Sequence, residues 1–181
     1  DSAAHRPGTI THVGLGTFVD PRNGGGKVNE LTRNAPDLVH LMPINGRDYL
    51  FYDYQKVDFA LLCGTYADEN GNISMEKCAV TGEMLATAQA CKNSGGTVVV
   101  QVEKVVENGS LDPKKVEIPG ILVDVVVPVS DMKYHMQTFD INYDPSLSGE
   151  HRVSLQAAAP LPLTDKKIIA RRAAMELRKG I

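Results

Sequence analysis

The densest run of chemistry-bearing residues is GLGTFVDPRNGGGKVN, from Gly14 to Asn29. Glycines let a backbone approach a ligand closely and aim successive N–H groups at an anion or a carbonyl oxygen. Arg22 and Lys27 add positive charge to this run, and Thr17 and Asn29 add neutral hydrogen-bonding groups. The spacing excludes two phosphate-binding motifs. Gly14 and Gly16 have no third glycine at the dinucleotide-binding interval, and no helix is predicted behind them. Lys27 is followed by Val28, where a P-loop needs Ser or Thr. On residue types alone, two readings stand: a loop that binds a ligand, or a surface loop with glycines at its turns.

A second polar cluster, ADENGN, runs from Ala67 to Asn72. Asn-Gly favours a tight turn, and Asp68 and Asn72 can tie such a turn to its own backbone, so the cluster reads as structural. Glu69 stands in it as a carboxylate that no neighbouring residue aims. The histidines at 5, 12, 40, 135 and 151 have no metal-ligand spacing, and no Gly-x-Ser-x-Gly nucleophile elbow occurs. Cys63, Cys78 and Cys91 have no CxxC spacing and no histidine cluster beside them, which argues against zinc. Their odd number argues against a disulfide scaffold. They read as reduced thiols packed as small hydrophobes.

Composition narrows the class. Hydrophobic residues at 43% and charged residues at 23% are ordinary for a folded soluble protein of 181 residues. A net charge of −3 without a Lys/Arg stripe leaves nucleic-acid binding without electrostatic support. No apolar run approaches the roughly 20 residues that span a bilayer, and Asp1 to Gly8 does not read as a signal peptide.

The elements that must position these groups are mostly strands. Thr9 to Val13 leads into the glycine-rich run. Leu38 to Ile44 and Tyr49 to Tyr52 flank Asn45-Gly46, a hairpin signal. Val57 to Gly64 is short, apolar and bounded by polar residues, as a buried strand should be. Glu83 to Lys92 reads as a helix ended by Asn93-Ser94-Gly95-Gly96. Thr97 to Val106 follows as a valine-rich strand with Gln101 and Glu103 as its exposed pair. Helix then strand predicts an αβ unit with a parallel sheet. Ile121 to Val127 is a further strand. Residues 148–163 read as a linker rich in Ser, Gly, Ala and Pro. Thr164 is a good N-cap, with Ile169, Ala173 and Leu177 at helical spacing behind it. Gly180 follows as a C′ residue, and Ile181 as the start of a next strand. Both ends therefore read as interior to a longer chain.

Four segments occur in order: GLGTFVDPRNGGGKVN, LLCGTYADENGNISMEK, NSGGTVVVQVEKVVENGSLDPKKVEIPGILVDVVV and YDPSLSGEHR. They are spread from Gly14 to Arg152, and the pattern they carry covers nearly the whole chain. The pattern resembles the family I CoA-transferases, and is most similar to the propionate (acetate/lactate) CoA-transferases. The resemblance implies an α/β fold with a CoA-transferase-like open sheet flanked by helices, incomplete in this chain. It implies that residues 1–147 are the C-terminal portion of a first domain, 148–163 a linker and 164–181 the first helix of a second, truncated domain.

The resemblance also implies a reaction. A glutamate carboxylate attacks an acyl-CoA thioester, and CoA passes to a second short-chain acid through a glutamyl-CoA thioester. Coenzyme A is then a substrate, and no metal or other cofactor is needed. The nucleophilic glutamate is expected beyond Ile181, so no catalytic residue is assigned within the chain. The glycine-rich loop is expected to face the acyl-CoA cleft, with Gly14, Gly16, Thr17, Phe18, Gly24, Gly25, Gly26 and Lys27 as substrate- or CoA-binding residues. A cytoplasmic homo-oligomer, with the remaining segments of the same polypeptide as partners, completes the expectation. CoA-ester hydrolysis and a non-catalytic module that binds acyl-CoA or an organic acid remain as alternatives.

Overall fold

The computed structural model describes residues 1–157 and 159–179. These fall into two compact units, Asp1–Asp144 and Pro145–Ile181.

In the first unit, strand β1 (Gly8–Thr11) runs into the glycine-rich loop. One helical turn follows, α1 (Glu30–Arg33). No helix was expected there. Asn29 creates it with a capping box: its side chain accepts from the Thr32 N–H at 2.8 Å, while the Asn29 N–H reaches the Thr32 hydroxyl at 3.1 Å. The predicted hairpin follows as β2 (Val39–Ile44) and β3 (Arg47–Asp53). Asn45 and Gly46 both take positive φ, 49° and 74°, and Ile44 pairs with Arg47. A two-residue loop of this kind matches the twist of its strands. With β1 the hairpin makes an antiparallel sheet in the order β1-β3-β2.

The chain then builds a parallel sheet and a small mixed one. The strands are β4 (Phe59–Cys63), β5 (Tyr66–Asp68), β6 (Ile73–Ser74), β7 (Thr97–Val102), β8 (Lys104–Val106), β9 (Val116–Ile118) and β10 (Val125–Pro128). Helix α2 (Met84–Asn93) joins β6 to β7. The order β10-β7-β4 is parallel throughout, with Ala60 opposite Val98 and Val125 opposite Val99. The mixed sheet runs β8-β5-β6-β9.

The core lies on one side of the parallel sheet. Ala60, Leu62, Val98, Val100 and Val102 are buried there with Ala88 and Cys91 of α2, and with Ala67, Ile73 and Ile118 of the mixed sheet. The expectation of a wholly buried β4 is corrected. Its residues alternate: Ala60 and Leu62 face inward, while Phe59 and Leu61 are 69% and 79% exposed. Val125 and Val127 extend this open apolar face across β10. An apolar run looks the same in sequence whether one face or both are covered.

Two further strands are shorter than expected. Thr97–Val106 breaks at Glu103, whose N–H turns to the Thr65 carbonyl. Beyond it the chain leaves the parallel sheet and pairs with β5. Ile121–Val127 opens as a 3-10 turn at Gly120–Leu122, and only Val125–Pro128 is strand.

In the second unit, the described residues of 148–163 include a 3-10 turn at Leu155–Ala157. Helix α3 (Asp165–Ala174) starts as expected, with the Thr164 hydroxyl accepting from the Lys167 N–H at 3.3 Å. It stops short of Leu177. Met175, Glu176 and Leu177 close instead onto carbonyls three residues back, and the helix buries no residue that would hold them in register. Gly180 and Ile181, expected to cap the helix and begin a strand, lie outside the described residues.

Candidate functional site

The glycine-rich loop is organised around Asp20, whose side chain is wholly buried. One carboxylate oxygen accepts from the Gly16 N–H at 2.8 Å and from Arg22 Nη2 at 2.8 Å. The other accepts from Arg22 N and Nε, both at 3.0 Å. Arg22 also reaches Asp48 at 2.9 Å, which pins the loop to the start of β3. The Arg22 side chain, then the Gly16 N–H, hold the Asp20 carboxyl far below the usual carboxylate range. The same pairing raises Arg22 above the ordinary guanidinium value.

Acid should therefore act late on this loop. A depressed carboxylate contributes stability above its unfolded pKa, about 3.9, and loses it only as pH falls through the lower folded value. The expected result is that the Gly16 and Arg22 amide resonances stay unchanged as pH falls past 4 and move only in stronger acid. Titration of these amides near pH 4 would sink this account.

The loop satisfies itself. Thr17 N–H donates to Gly14 O, Gly25 N–H to Asp20 O, Gly26 N–H to Phe18 O and Lys27 N–H to Gly24 O, all within 3.1 Å. Lys27 Nζ is held by Asp37 at 2.5 Å and by the Ala35 carbonyl at 2.7 Å. That contact lowers the Asp37 carboxyl. Gly14 seats the loop on β3: at φ +101°, a Cβ there would lie 2.4 Å from the Tyr52 hydroxyl, which donates to Val13 O at 2.9 Å. Gly14, Gly16, Thr17, Phe18, Gly24, Gly25, Gly26 and Lys27 thus form one knot about Asp20. Sequence reasoning expects free N–H groups aimed at a ligand. In this conformation the N–H groups of Gly16, Thr17, Gly24, Gly25, Gly26 and Lys27 all donate within the loop. The loop turns outward Phe18 and Val28, with Val13 just before it, alongside the polar Thr17, Arg22, Asn23 and Asn29.

A second site lies past the carboxyl ends of β4 and β7, where open α/β sheets gather ligands. It is a cavity of about 230 Å³ bordered by Cys63, Thr65, Lys77, Cys78, Glu103 and His135, among others. Lys77 pairs with Glu103 at 2.9 Å and lies 5.2 Å from the Tyr66 ring centroid and 5.6 Å from that of Tyr143. Hydrogen bonding to Tyr66, then to Glu103, holds Lys77 above the usual lysine range. His135 is clamped: its Nε2 lies 3.0 Å from the Gly64 carbonyl, and its Nδ1 lies 2.9 Å from the Gln101 amide. The carbonyl can only accept, which assigns the proton of the neutral ring to Nε2. Gln137 closes the wall by donating to Lys77 O at 2.7 Å.

Sequence reasoning missed this pocket. Its residues are scattered from 63 to 143 with no shared spacing, and the one available signal was the positional rule for carboxyl ends of parallel strands. It also took all three cysteines for core. Cys91 is core, but Cys63 is exposed and Cys78 half-buried, both at the pocket. The ADENGN turn is structural, as expected. Asp68 accepts from the Asn70 and Asn72 N–H groups and from Asn72 Nδ2, and Asn72 Oδ1 accepts from Gly120 N–H at 2.9 Å. Glu69 accepts from the Asn108 N–H at 3.2 Å. Among the described residues, no cluster of three or more His, Cys, Asp or Glu is placed to hold a metal ion.

Comparison with known proteins places the chain in a family. A family model described as coenzyme A transferase matches residues 2–128. The chain is 55% identical to caffeate CoA-transferase of Acetobacterium woodii over 178 residues, covering 98% of this chain and 34% of that protein. It is 40% identical to acetate CoA-transferase YdiF of Escherichia coli K12 over 179 residues, 99% of this chain and 33% of that one. The chain thus spans about a third of the length of these curated relatives. Its structure is similar to that of the YdiF acyl-CoA transferase of E. coli O157:H7, solved as a thioester complex with CoA. The TM-score is 0.81 at 39% identity, covering 99% of this chain and 34% of that one. It shares the fold of glutaconate coenzyme A-transferase from Acidaminococcus fermentans, with a TM-score of 0.58 at 21% identity over 71% of this chain and 41% of that one.

Proposed function

The chain belongs to the coenzyme A transferase family, and on that premise we propose that the whole protein moves coenzyme A between carboxylic acids. The observation that carries this reading is that 99% of this chain matches about a third of YdiF, in sequence and in fold, a relative solved as a thioester with CoA. In the proposed reaction a glutamate carboxylate attacks the acyl-CoA carbonyl and releases CoA thiolate, leaving an acyl-glutamyl anhydride. The thiolate then attacks the glutamyl carbonyl, expels the first carboxylate and leaves a glutamyl-CoA thioester. An acceptor acid takes the CoA by the reverse steps. Coenzyme A serves as substrate, and the chemistry calls for no metal or redox cofactor.

We place the nucleophilic glutamate outside residues 1–181. Glu103 is tied to Lys77, and Glu69 sits on an exposed turn that engages its carboxylate with the Asn108 N–H. Residues 1–147 serve as part of a first domain, 148–163 as a linker and 164–181 as the first helix of a second. The outward apolar residues of the glycine-rich loop, Phe18 above all, support its role as one wall of the acyl-CoA cleft. The substrates are short-chain acids and their CoA esters, the assembly a homo-oligomer and the compartment the cytoplasm. No helix among the described residues is long and apolar enough to cross a membrane.

The open face at Phe59, Leu61, Val125 and Val127 is assigned to packing against the rest of the polypeptide. Parallel sheets are stable when both faces are covered, and here α2 covers one.

The test is to incubate the whole protein with an acyl-CoA, reduce with borohydride and map the peptides. A reduced glutamate outside residues 1–181 is expected. Modification of Glu69 or Glu103, or no covalent adduct at all, would overturn the reading.

A further inference from the structure

The pocket past β4 and β7 brings together two thiols that the transfer reaction does not use. Cys63 ends β4, where the strand leaves the sheet, and Cys78 lies in the turn after β6. Both border the same cavity. The backbone holds the two segments side by side. Thr65 N–H donates to Ser74 O at 2.7 Å, Lys77 N–H to the Thr65 hydroxyl at 2.9 Å, and Cys78 N–H to Met75 O at 3.0 Å. The two thiols line the same cavity wall and interact electrostatically with one another.

We propose that Cys63 and Cys78 are a redox-active dithiol that a hydroperoxide converts to a disulfide within the pocket wall. The roles are asymmetric. The Cys78 hydrogen bond stabilises a thiolate at Cys63 and draws it down to about 6. Cys78 is held protonated by its bond to Cys63 and by burial. The Cys63 thiolate attacks the terminal oxygen of the hydroperoxide and takes its OH, becoming a sulfenic acid; the O–O bond breaks, and the other oxygen leaves as alkoxide or hydroxide and takes from solvent the proton that Cys63 had given up. Cys78 sulfur then attacks the sulfenic sulfur. The S–S bond forms, the S–O bond breaks, and the hydroxyl leaves as water with the Cys78 proton. Two thiols lose two electrons and two protons, and the hydroperoxide gains them. Cys91 cannot take part, being fully buried with its Sγ directed at Thr97 O at 3.5 Å.

The experiment is to treat the purified protein with hydrogen peroxide, block free thiols with N-ethylmaleimide and map the peptides. The expected product is a Cys63–Cys78 cross-link within one chain, lighter by two hydrogens and restored by dithiothreitol, with Cys91 labelled only after denaturation. In the untreated protein, alkylation of Cys63 should be half-maximal below the pH of about 8.5 that an ordinary thiol needs. Cys78→Ser should leave a sulfenic acid at Cys63 that dimedone traps. If that variant does not fold, the wild-type cross-link and pH profile still decide. A Cys63 that stays reduced, over-oxidises without cross-linking, or joins another molecule would overturn the proposal.

Discussion

Gly120→Ala is expected to destabilise the Asp1–Asp144 unit by about 2–4 kcal/mol. It would be read as a lower urea midpoint at unchanged m value. A Cβ at position 120 would lie 2.1 Å from the Asn70 carbonyl oxygen, 3.0 Å from its carbon and 3.1 Å from the Gly71 carbonyl carbon. All three are backbone atoms, so no flexible side chain can swing aside. The Asn70 carbonyl cannot retreat cheaply either. Its turn is held by the Asp68 carboxylate, which is 5% exposed and accepts from the Asn70 N–H at 3.0 Å, the Asn72 N–H at 2.8 Å and Asn72 Nδ2 at 2.8 Å. The Asn72 side chain completes the lock by accepting from Gly120 N–H itself. Relieving the clash means breaking hydrogen bonds to a buried carboxylate, which is why an added methyl group costs so much here. A midpoint within experimental error of the parent would show that the turn and the Gly120 segment are not packed as described.

Leu61→Asp is expected to have very unequal consequences in two backgrounds. In the 181-residue chain Leu61 is 79% exposed, so the change should alter stability by no more than about 0.5 kcal/mol. In the whole protein the proposed covering of the β10-β7-β4 face would bury an unpaired carboxylate among Phe59, Val125 and Val127. A cost above about 3 kcal/mol is then expected, enough to abolish the soluble folded enzyme. Paired unfolding measurements of the two backgrounds check this. Equal, small effects in both would mean that the face stays open, and the assignment of that face would fail.

What was legible in the sequence is what depends on near neighbours. Asn45-Gly46 set the hairpin because both residues tolerate positive φ. Asp68, Asn70 and Asn72 set their turn because a carboxylate reaches amides two and four residues on. Glu83–Lys92 was readable as a helix and is one, over Met84–Asn93. The helix–strand alternation around it announced a parallel pair, and β4 and β7 form it. The glycine loop was legible as a unit and less so in its use of hydrogen bonds. Asp20 is only two residues from Arg22, but its hold on Gly16 N–H depends on a loop path that no periodicity encodes. Lys27 read as free positive charge because its partner, Asp37, lies past a one-turn helix that was not foreseen.

The sequence by itself determined the family, the hairpin, the helix before β7 and the structural role of the ADENGN turn. These follow from ordered motifs or from contacts a few residues long, where chain stereochemistry leaves few choices. Only the tertiary structure decided three other features. It showed that β4 is covered on one face alone, that Glu103 breaks a valine-rich run to meet Lys77, and that Cys63 and Cys78 share a pocket wall. Each depends on which distant segments lie side by side. Burial and hydrogen-bond partners are properties of that arrangement, and the same apolar run or lone thiol is compatible with several of them.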